Sequence, residues 1–184
     1  MEAGPFGPGR LVAVVGPSGS GKDSIMRAAQ KALGASSGSI VFPKRFVTRA
    51  PDSHEDHVPI ARDAFREAAE AGAFAFSWEA HGLCYGVPRE VDELVSRGRT
   101  VVLNVSRSVV PLLRQRYANL TVATITADAG TVARRLAGRG RETAEEIARR
   151  LARSGWDASD PEAIEIDNDG PLAKAVERFL SILR

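Results

Sequence analysis

The sequence predicts an α/β fold in which a parallel sheet carries helices on both faces. Three short and nearly continuous apolar stretches, at residues 11–15, 100–105 and 120–126, are typical of strands buried on both sides of such a sheet. A segment with helical spacing of apolar residues follows each stretch. A glycine-rich run separates the first stretch from its helix, and this is the end of the strand at which parallel sheets bind ligands.

The first half of the chain follows this alternation with short elements, bounded by glycine, proline and polar residues. Residues 52–58 form a polar stretch with no predicted helix or strand. The predicted elements are, in order, strand 11–15, helix 25–33, strand 40–47, helix 62–72 ending at a glycine, strand 74–78 and a loop over 79–86.

The second half repeats the pattern with clearer boundaries. Val91, Leu94 and Val95 share one helical face after Pro88, and Asp128 is placed to cap a helix that carries apolar residues at helical spacing. The predicted elements are a helix from Pro88 to Gly98, strand 100–105, helix 107–117, strand 120–126, the helix after Asp128, an arginine-rich segment over 134–153, strand 163–166 and a terminal helix.

Length and composition predict one domain over residues 1–184, with a flexible tail at 1–9 and a lid at about 134–155. A net charge of +2 is too small to indicate nucleic-acid binding. The single cysteine, Cys84, excludes an intrachain disulfide and agrees with a cytoplasmic protein. No apolar run approaches the roughly 18 residues of a membrane-spanning helix, so no membrane partner is expected. A homodimer is compatible with the sequence.

The glycine-rich run is the segment that points most directly to chemistry. It predicts a phosphate-binding loop, because glycines let backbone N–H groups approach phosphate oxygens at a helix N-terminus, and the lysine reaches the β- and γ-phosphates. The predicted fold is therefore that of a P-loop NTPase with a small arginine-rich lid. The residues predicted to bind the nucleotide are Gly16, Pro17, Ser18, Gly19, Ser20, Gly21, Lys22, Asp23 and Ser24.

Asp23 departs from the usual loop, in which Ser or Thr follows the lysine and places a hydroxyl on Mg²⁺. A carboxylate is also an oxygen ligand that Mg²⁺ accepts, so Asp23 is the candidate metal ligand, directly or through a water. The alternative is that Asp23 only complements the positive end of the following helix.

These features resemble the guanylate-kinase-like branch of P-loop kinases over nearly the whole chain. The matching segments are the GPSGSGK loop, Thr48-Arg49, Tyr85-Gly86, the arginine segment from Arg139 to Arg150, and Asn168-Asp169. The residues that read guanine in that branch are replaced. Asp52 stands where a second phosphate-binding arginine is expected, Phe76 where a glutamate is expected, and Val87 where a serine is expected.

A closer resemblance is to the ribose 1,5-bisphosphate phosphokinase family, whose loop also carries the unusual aspartate. It covers GPSGSGKDS, residues 45–49, residues 77–87 and residues 138–142, with departures at Glu79 and Cys84. The resemblance implies that ATP with Mg²⁺ phosphorylates the 1-phosphate of ribose 1,5-bisphosphate, a small-molecule substrate. It implies catalytic roles for Lys22, Arg139 and Arg150, and substrate-binding roles for Thr48, Arg49, His81, Tyr85, Arg107 and Arg141.

Other interpretations remain open for several of these residues. Glu145–Arg149 and Glu146–Arg150 pairs would make an ordinary solvated helix of the lid segment, and Arg49 and Thr48 would be turn and strand-end residues. His54, His57 and His81 are scattered and are expected to be solvated or packing residues rather than zinc ligands. For the whole chain, the alternatives are a nucleoside monophosphate kinase such as guanylate kinase, and a non-catalytic peptide-binding scaffold.

Overall fold

The structure is a computed structural model, and it describes residues 4–34, 38–50, 56–137 and 160–184. Its strands are β1 (Arg10–Val15), β2 (Ile40–Val41), β3 (Arg45–Val47), β4 (His57–Pro59), β5 (Phe74–Ala80), β6 (Leu83–Pro88), β7 (Thr100–Asn104), β8 (Leu120–Thr126) and β9 (Ile164–Asp167). Its helices are α1 (Lys22–Leu33), α2 (Arg62–Glu70), α3 (Glu90–Ser96), α4 (Val110–Arg116), α5 (Ala129–Ala137) and α6 (Leu172–Leu183). A 3₁₀ turn, Arg107–Val109, precedes α4.

The larger sheet confirms the predicted α/β class. Its five strands lie in the order β2-β7-β1-β8-β9. Strand β2 pairs with β7 in parallel, with Ile40 opposite Thr100, and β8 pairs with β9 in parallel, with Ala123 opposite Ile164. The side chains of β1 from residue 11 to residue 15 are buried, as the continuous apolar run predicted.

A second sheet of four strands was not predicted. Its order is β4-β3-β6-β5, with β3 and β4 parallel and the other two pairs antiparallel. The predicted strand over 40–47 is wrong as one element, since Pro43 lies between β2 and β3 and these strands belong to different sheets. The polar stretch over residues 52–58 includes the first two residues of β4, which runs from His57 to Pro59.

The predicted loop over 79–86 is also wrong, because it is a β-hairpin. Strands β5 and β6 pair up to Ala80 and Leu83, so only His81 and Gly82 form the turn. Both residues have positive φ, 53° and 75°, as a two-residue type I′ turn requires. Because histidine tolerates this conformation less readily than glycine or asparagine, local sequence gave only a weak hairpin signal.

The chain divides into two compact units, each with its own buried residues. The first comprises Met1–Ala13 and Leu33–Thr121, and the second comprises Val14–Ala32 and Val122–Arg184. In the first unit, Phe65 of α2 stacks on Phe74 of β5 at 4.8 Å between ring centroids, and Phe74 lies 5.6 Å from Phe46 of β3. In the second, Val132 and Leu136 of α5 form a buried cluster. No helix within the described ranges is long and apolar enough to span a membrane.

The sequence predicted a flexible tail over residues 1–9. In the structure, residues 6–9 are attached to the first unit. The Phe6 N–H donates to the Arg116 carbonyl at 2.8 Å, and the Ala118 N–H donates to the Phe6 carbonyl at 2.9 Å. The Phe6 ring lies 5.0 Å from the Arg116 guanidinium carbon and 6.0 Å from the Tyr117 ring. Backbone pairing and ring contacts therefore order a segment whose glycines and prolines suggested disorder.

Asp128 caps α5 as predicted. Its side chain accepts from the Thr131 N–H and from the Thr131 hydroxyl, each at 2.8 Å. These two hydrogen bonds, the backbone one first, lower the pKa of Asp128 from 3.8 to about 2. The carboxylate thus satisfies a backbone donor that the first turn of a helix leaves without an intrahelical acceptor.

Replacing Asp128 by alanine is expected to lower the melting temperature, and asparagine, which retains a capping oxygen, to lower it less. Because the pKa is depressed on folding, the contribution of the charged cap is complete above about pH 4 and is lost as the pH falls toward 2. Thermal unfolding of the wild type and Asp128→Asn should therefore converge below pH 4. A difference between their melting temperatures that does not change between pH 7 and pH 2.5 would contradict this assignment.

Candidate functional site

The glycine-rich loop joins β1 to α1, and residues 16–21, which form it, belong to the second unit. Helix α1 begins at Lys22, three residues before the predicted start, so Lys22, Asp23 and Ser24 form its first turn. Asp23 is half-buried there and Ser24 is exposed. An acidic residue in the first turn interacts favourably with the positive end of the helix, which explains why the helix extends to this point.

Two positions of the loop require glycine. A Cβ atom on Gly16 would meet the carbonyl oxygen of Ile125, and one on Gly21 would meet the side-chain nitrogen of Asn168. Gly21 also has a φ of 96°, which L side chains rarely adopt. The backbone of the loop therefore approaches its neighbours more closely than any side chain would allow.

Two side chains hold the loop through the carbonyl oxygen of Ser20. Asn168 Nδ2 donates to it at 2.7 Å, and the Arg135 guanidinium donates to it at 3.3 Å. The same guanidinium donates to the Asn168 carbonyl at 2.7 Å. Asn168 was among the residues that carried the family resemblance, whereas the part played by Arg135 was not foreseen.

Lys22 lies over the start of the loop. Its ammonium donates to the carbonyl oxygens of Gly16 at 2.8 Å and Pro17 at 3.0 Å. An ammonium has three N–H donors and carries a compact positive charge. The structure thus keeps a positive charge at the mouth of a loop of the phosphate-binding type.

Two buried polar atoms of this region lack a hydrogen-bond partner among the residues that the structure describes. They are Oγ of Ser20, whose residue is fully buried, and Oδ1 of Asn168, whose residue is 2% exposed. Leaving such an atom unsatisfied costs about 1–3 kcal/mol. Their position at a glycine loop fits a site that a polar ligand completes.

The donor set also fits a magnesium ion bound together with a nucleotide. Within residues 4–34, 38–50, 56–137 and 160–184, no group of three or more His, Cys, Asp or Glu side chains is arranged to hold a metal. Mg²⁺ does not need one, since it usually takes one or two carboxylates, substrate phosphates and water. Asp23, in the turn that follows the loop, is the carboxylate available for this role.

Thr48 and Arg49 directly follow β3, in the first unit. Thr48 Oγ1 accepts from the Cys84 N–H at 2.9 Å, so its side chain also joins β3 to β6. The Arg49 N–H donates to the Val47 carbonyl at 2.8 Å, which turns the chain after the strand. An open cavity of about 340 Å³ lies here, and its lining residues are Thr48, Arg49, Ala50, Pro59, Ile60, Ala61 and Arg62.

Glu79 and Cys84, the two departures from the closer family pattern, contact each other. They face each other across the hairpin, and Cys84 Sγ donates to Glu79 Oε1 at 3.1 Å. Arg62 lies 3.6 Å from the same carboxylate oxygen and donates to the Gly82 carbonyl at 3.1 Å. The departures therefore form one local network that holds the Arg62 side chain beside the cavity.

The remaining predicted substrate residues have different surroundings. Tyr85 is buried on β6, where its ring stacks on Trp78 at 5.1 Å and lies 5.7 Å from the Arg45 guanidinium carbon. His81 is exposed in the hairpin turn, and Arg107 is exposed at the start of the 3₁₀ turn. Arg139, Arg141 and Arg150, with most of the predicted lid, lie outside the described residues.

The surroundings of Cys84 predict a thiol that reacts slowly. Burial is the main cause that raises its pKa, and the hydrogen bond and charge of Glu79 add to it, while Arg62 acts in the opposite direction. We expect iodoacetamide to modify the single cysteine faster in Glu79→Gln and more slowly in Arg62→Gln than in the wild type. Rates measured by mass spectrometry at pH 8 test this, and a change of the same sign in both variants would contradict it.

Comparison with known proteins identifies the family of this chain. A sequence model of the guanylate kinase family matches residues 8–183. The chain belongs to the guanylate kinase family. A guanylate kinase from Anaplasma phagocytophilum has the same fold, with a TM-score of 0.67 at 19% identity, over 98% of this chain and 86% of the other. Membership of the guanylate kinase family implies the use of a nucleotide.

Relatives of this chain carry the more specific name that the sequence suggested. Ribose 1,5-bisphosphate phosphokinase PhnN of Chelativorans sp. (strain BNC1) is 49% identical over 98% of this chain and 87% of its own length. The protein of that name from Bradyrhizobium diazoefficiens is 44% identical over 100% of this chain and 92% of its own length. The predicted resemblance to this group is confirmed.

The apolar residues at guanine-reading positions of the guanylate kinase family are neighbours in this structure. Phe76 on β5 and Val87 on β6 are directly paired, and they are 6% and 0% exposed. Neither side chain can donate a hydrogen bond to a base edge or accept one from it. Asp52, the third replacement, lies outside the described residues.

Proposed function

We propose that the protein transfers the γ-phosphoryl group of ATP to the 1-phosphate of ribose 1,5-bisphosphate, giving 5-phosphoribosyl 1-pyrophosphate and ADP. The observation that carries the proposal is the identity of 44–49% to proteins named ribose 1,5-bisphosphate phosphokinase, over nearly the whole chain. The paired Phe76 and Val87 support it, because they replace hydrogen-bonding residues with an apolar surface. We further propose that the protein acts in phosphonate metabolism, as the family resemblance implies, and in the cytoplasm, with which its single cysteine agrees.

The chemistry requires little from a general base. A phosphate monoester has its second pKa near 6, so at neutral pH the attacking oxygen is already largely ionised. That oxygen forms a bond to the γ-phosphorus while the bond from the γ-phosphorus to the β–γ bridging oxygen breaks and ADP departs. Catalysis then depends on positioning and on neutralising charge.

In this proposal the second unit binds ATP. Backbone N–H groups of the loop contact the phosphates at the N-terminus of α1, with the Ser20 hydroxyl as a further donor at the site. Lys22 exchanges its two carbonyl acceptors for phosphate oxygens. Asp23 would hold Mg²⁺, which when bound neutralises phosphate charge. Arg139 and Arg150 are proposed to clamp the transferring group.

The first unit is proposed to bind the sugar bisphosphate. Arg49 and Arg62 both line one cavity, and guanidinium forks bind phosphate oxygens in pairs. A second phosphate-binding arginine is expected at position 52, where this chain has Asp52. Arg62 on α2 is proposed to supply that second cation. Thr48, Tyr85, His81, Arg107 and Arg141 are the other proposed substrate contacts.

Release of ADP with alternative acceptors tests the proposal. Ribose 1,5-bisphosphate and GMP should be compared at equal concentration with Mg-ATP, with the rate without acceptor subtracted. We expect release with the sugar bisphosphate only. Release with GMP only would mean that the chain is a guanylate kinase, and no binding of Mg-ATP in calorimetry would mean that it is a non-catalytic scaffold.

A further inference from the structure

One face of the four-stranded sheet carries a row of residues that the proposed function has not used in full. The Arg45 row consists of His57 on β4, Arg45 on β3, Tyr85 on β6 and Trp78 on β5. Arg45 is paired with His57, Tyr85 is paired with Val47 and Trp78 is paired with Tyr85, and residues paired in this way share a face.

The two faces of this sheet differ in chemistry. Side chains alternate along a strand, so Phe46 points away from the Arg45 row, toward the aromatic cluster with Phe74 and Phe65 of α2. That face is an apolar core, and the opposite face also carries the buried Phe76 and Val87, each two residues from a member of the row. The Arg45 row instead places a guanidinium, an imidazole and a phenol side by side, with Arg45, His57 and Tyr85 only 6%, 8% and 9% exposed.

Burial of a permanent charge needs an explanation at this position. A guanidinium remains ionised at any accessible pH, and removing it from water is unfavourable even when it is paired. Its carbon lies 5.7 Å from the centre of the Tyr85 ring, a cation–π distance that orients the side chain along the row. A buried charge is weak evidence for stability even when it is paired, and Arg45 shares its face of the sheet with Phe76 and Val87, which occupy the guanine-reading positions of the family, so the charge points to a role in binding.

The chemistry of the row fits a phosphate group. Guanidinium, phenol and imidazole can all donate hydrogen bonds to phosphate oxygens. Arg49 lies four positions after Arg45, which at about 3.3 Å per residue places their Cα atoms at most about 13 Å apart. Flexible arginine stems can bring two guanidinium groups to two phosphates on one small sugar.

We propose that Arg45 binds the 5-phosphate of the acceptor and makes the protein select a sugar bisphosphate over a sugar monophosphate. The inference rests on the proposed function and extends it, because Arg49 then serves the 1-phosphate that attacks ATP. Tyr85 positions the Arg45 guanidinium beneath that phosphate, and His57 supplies a further donor from the neighbouring strand.

The test compares two acceptors that differ only in the group that Arg45 is proposed to bind. Values of kcat/KM are measured for ribose 1,5-bisphosphate and for ribose 1-phosphate, with the wild type, Arg45→Gln and Arg45→Lys. We expect Arg45→Gln to lose roughly 10- to 100-fold with the bisphosphate and little with ribose 1-phosphate, so that the preference between acceptors shrinks by that factor. Arg45→Lys keeps the charge without the fork and should lose less.

The neighbouring cation provides a matched control. Lys44 is exposed and pairs with Asp56 at 2.7 Å, so Lys44→Gln removes a charge one residue away and should leave the preference unchanged. An equal loss on both acceptors in both Arg45 variants would make Arg45 a structural residue and overturn the inference. A wild type without preference would overturn it as well. Transfer to neither sugar would instead refute the proposed function, and the inference with it.

Discussion

Lys22→Met is expected to reduce phosphoryl transfer by about 10³-fold. The substitution keeps the length of the side chain and removes the ammonium that lies 2.8 Å from the Gly16 carbonyl at the start of the loop. The proposed role of this charge is to stabilise the β- and γ-phosphates as negative charge moves during transfer, and loss of one such donor typically costs about 10²- to 10³-fold. Initial rates of ADP formation at saturating acceptor measure the effect.

The control for this variant lies on the same helix. Lys31 is exposed in the last turn of α1, and Lys31→Met should change the rate by less than about twofold. Melting temperatures of both variants should stay close to that of the wild type. If Lys22→Met were folded and retained more than a tenth of the wild-type rate, the proposed role of Lys22 would be wrong.

Asp92→Ala is expected to destabilise the first unit by about 3 kcal/mol. Asp92 is buried on α3 and accepts from the Arg116 guanidinium through both carboxylate oxygens and from the Tyr117 hydroxyl at 2.8 Å. Removing the carboxylate leaves a half-buried cation and a buried hydroxyl beside the segment that holds Phe6. Urea unfolding followed by circular dichroism measures the loss.

An exposed pair of the same chemistry serves as control for Asp92. Asp63 lies 3.2 Å from Arg66 on α2, with both side chains more than two-thirds exposed. Asp63→Ala should lower the free energy of unfolding by less than about 0.5 kcal/mol, because solvent screens such pairs. Equal effects of the two substitutions would mean that burial does not strengthen the Asp92 interactions.

The parts of the fold that were predicted correctly are those with a local signal. Strands β1, β7 and β8 are buried on both faces, so each shows as a continuous apolar run in the sequence. Strands β3 and β4 have only three residues each and carry arginine, histidine and proline. Such elements exist because of pairing with distant strands, and no local pattern marks them.

The same distinction applies to the candidate site. A phosphate-binding role could be predicted for the glycine-rich loop because its residues are consecutive and their spacing carries the chemistry. The anchoring by Arg135, the contact between Glu79 and Cys84, and the placement of Arg45 beside Tyr85 depend on the register of strands and on contacts between distant residues. The histidines were predicted to be solvated or packing residues, and the burial of His57 in a strand next to Arg45 agrees with the second of these alternatives.

The most direct test of the central claim is the identity of the product. Purified protein is incubated with Mg-ATP and ribose 1,5-bisphosphate, and the reaction is followed by ³¹P NMR, with Lys22→Met as the control. The proposed function predicts a new pair of coupled pyrophosphate resonances from the sugar, appearing together with ADP and absent with the variant. ADP formed without a sugar pyrophosphate, or a pyrophosphate product from GMP alone, would contradict it.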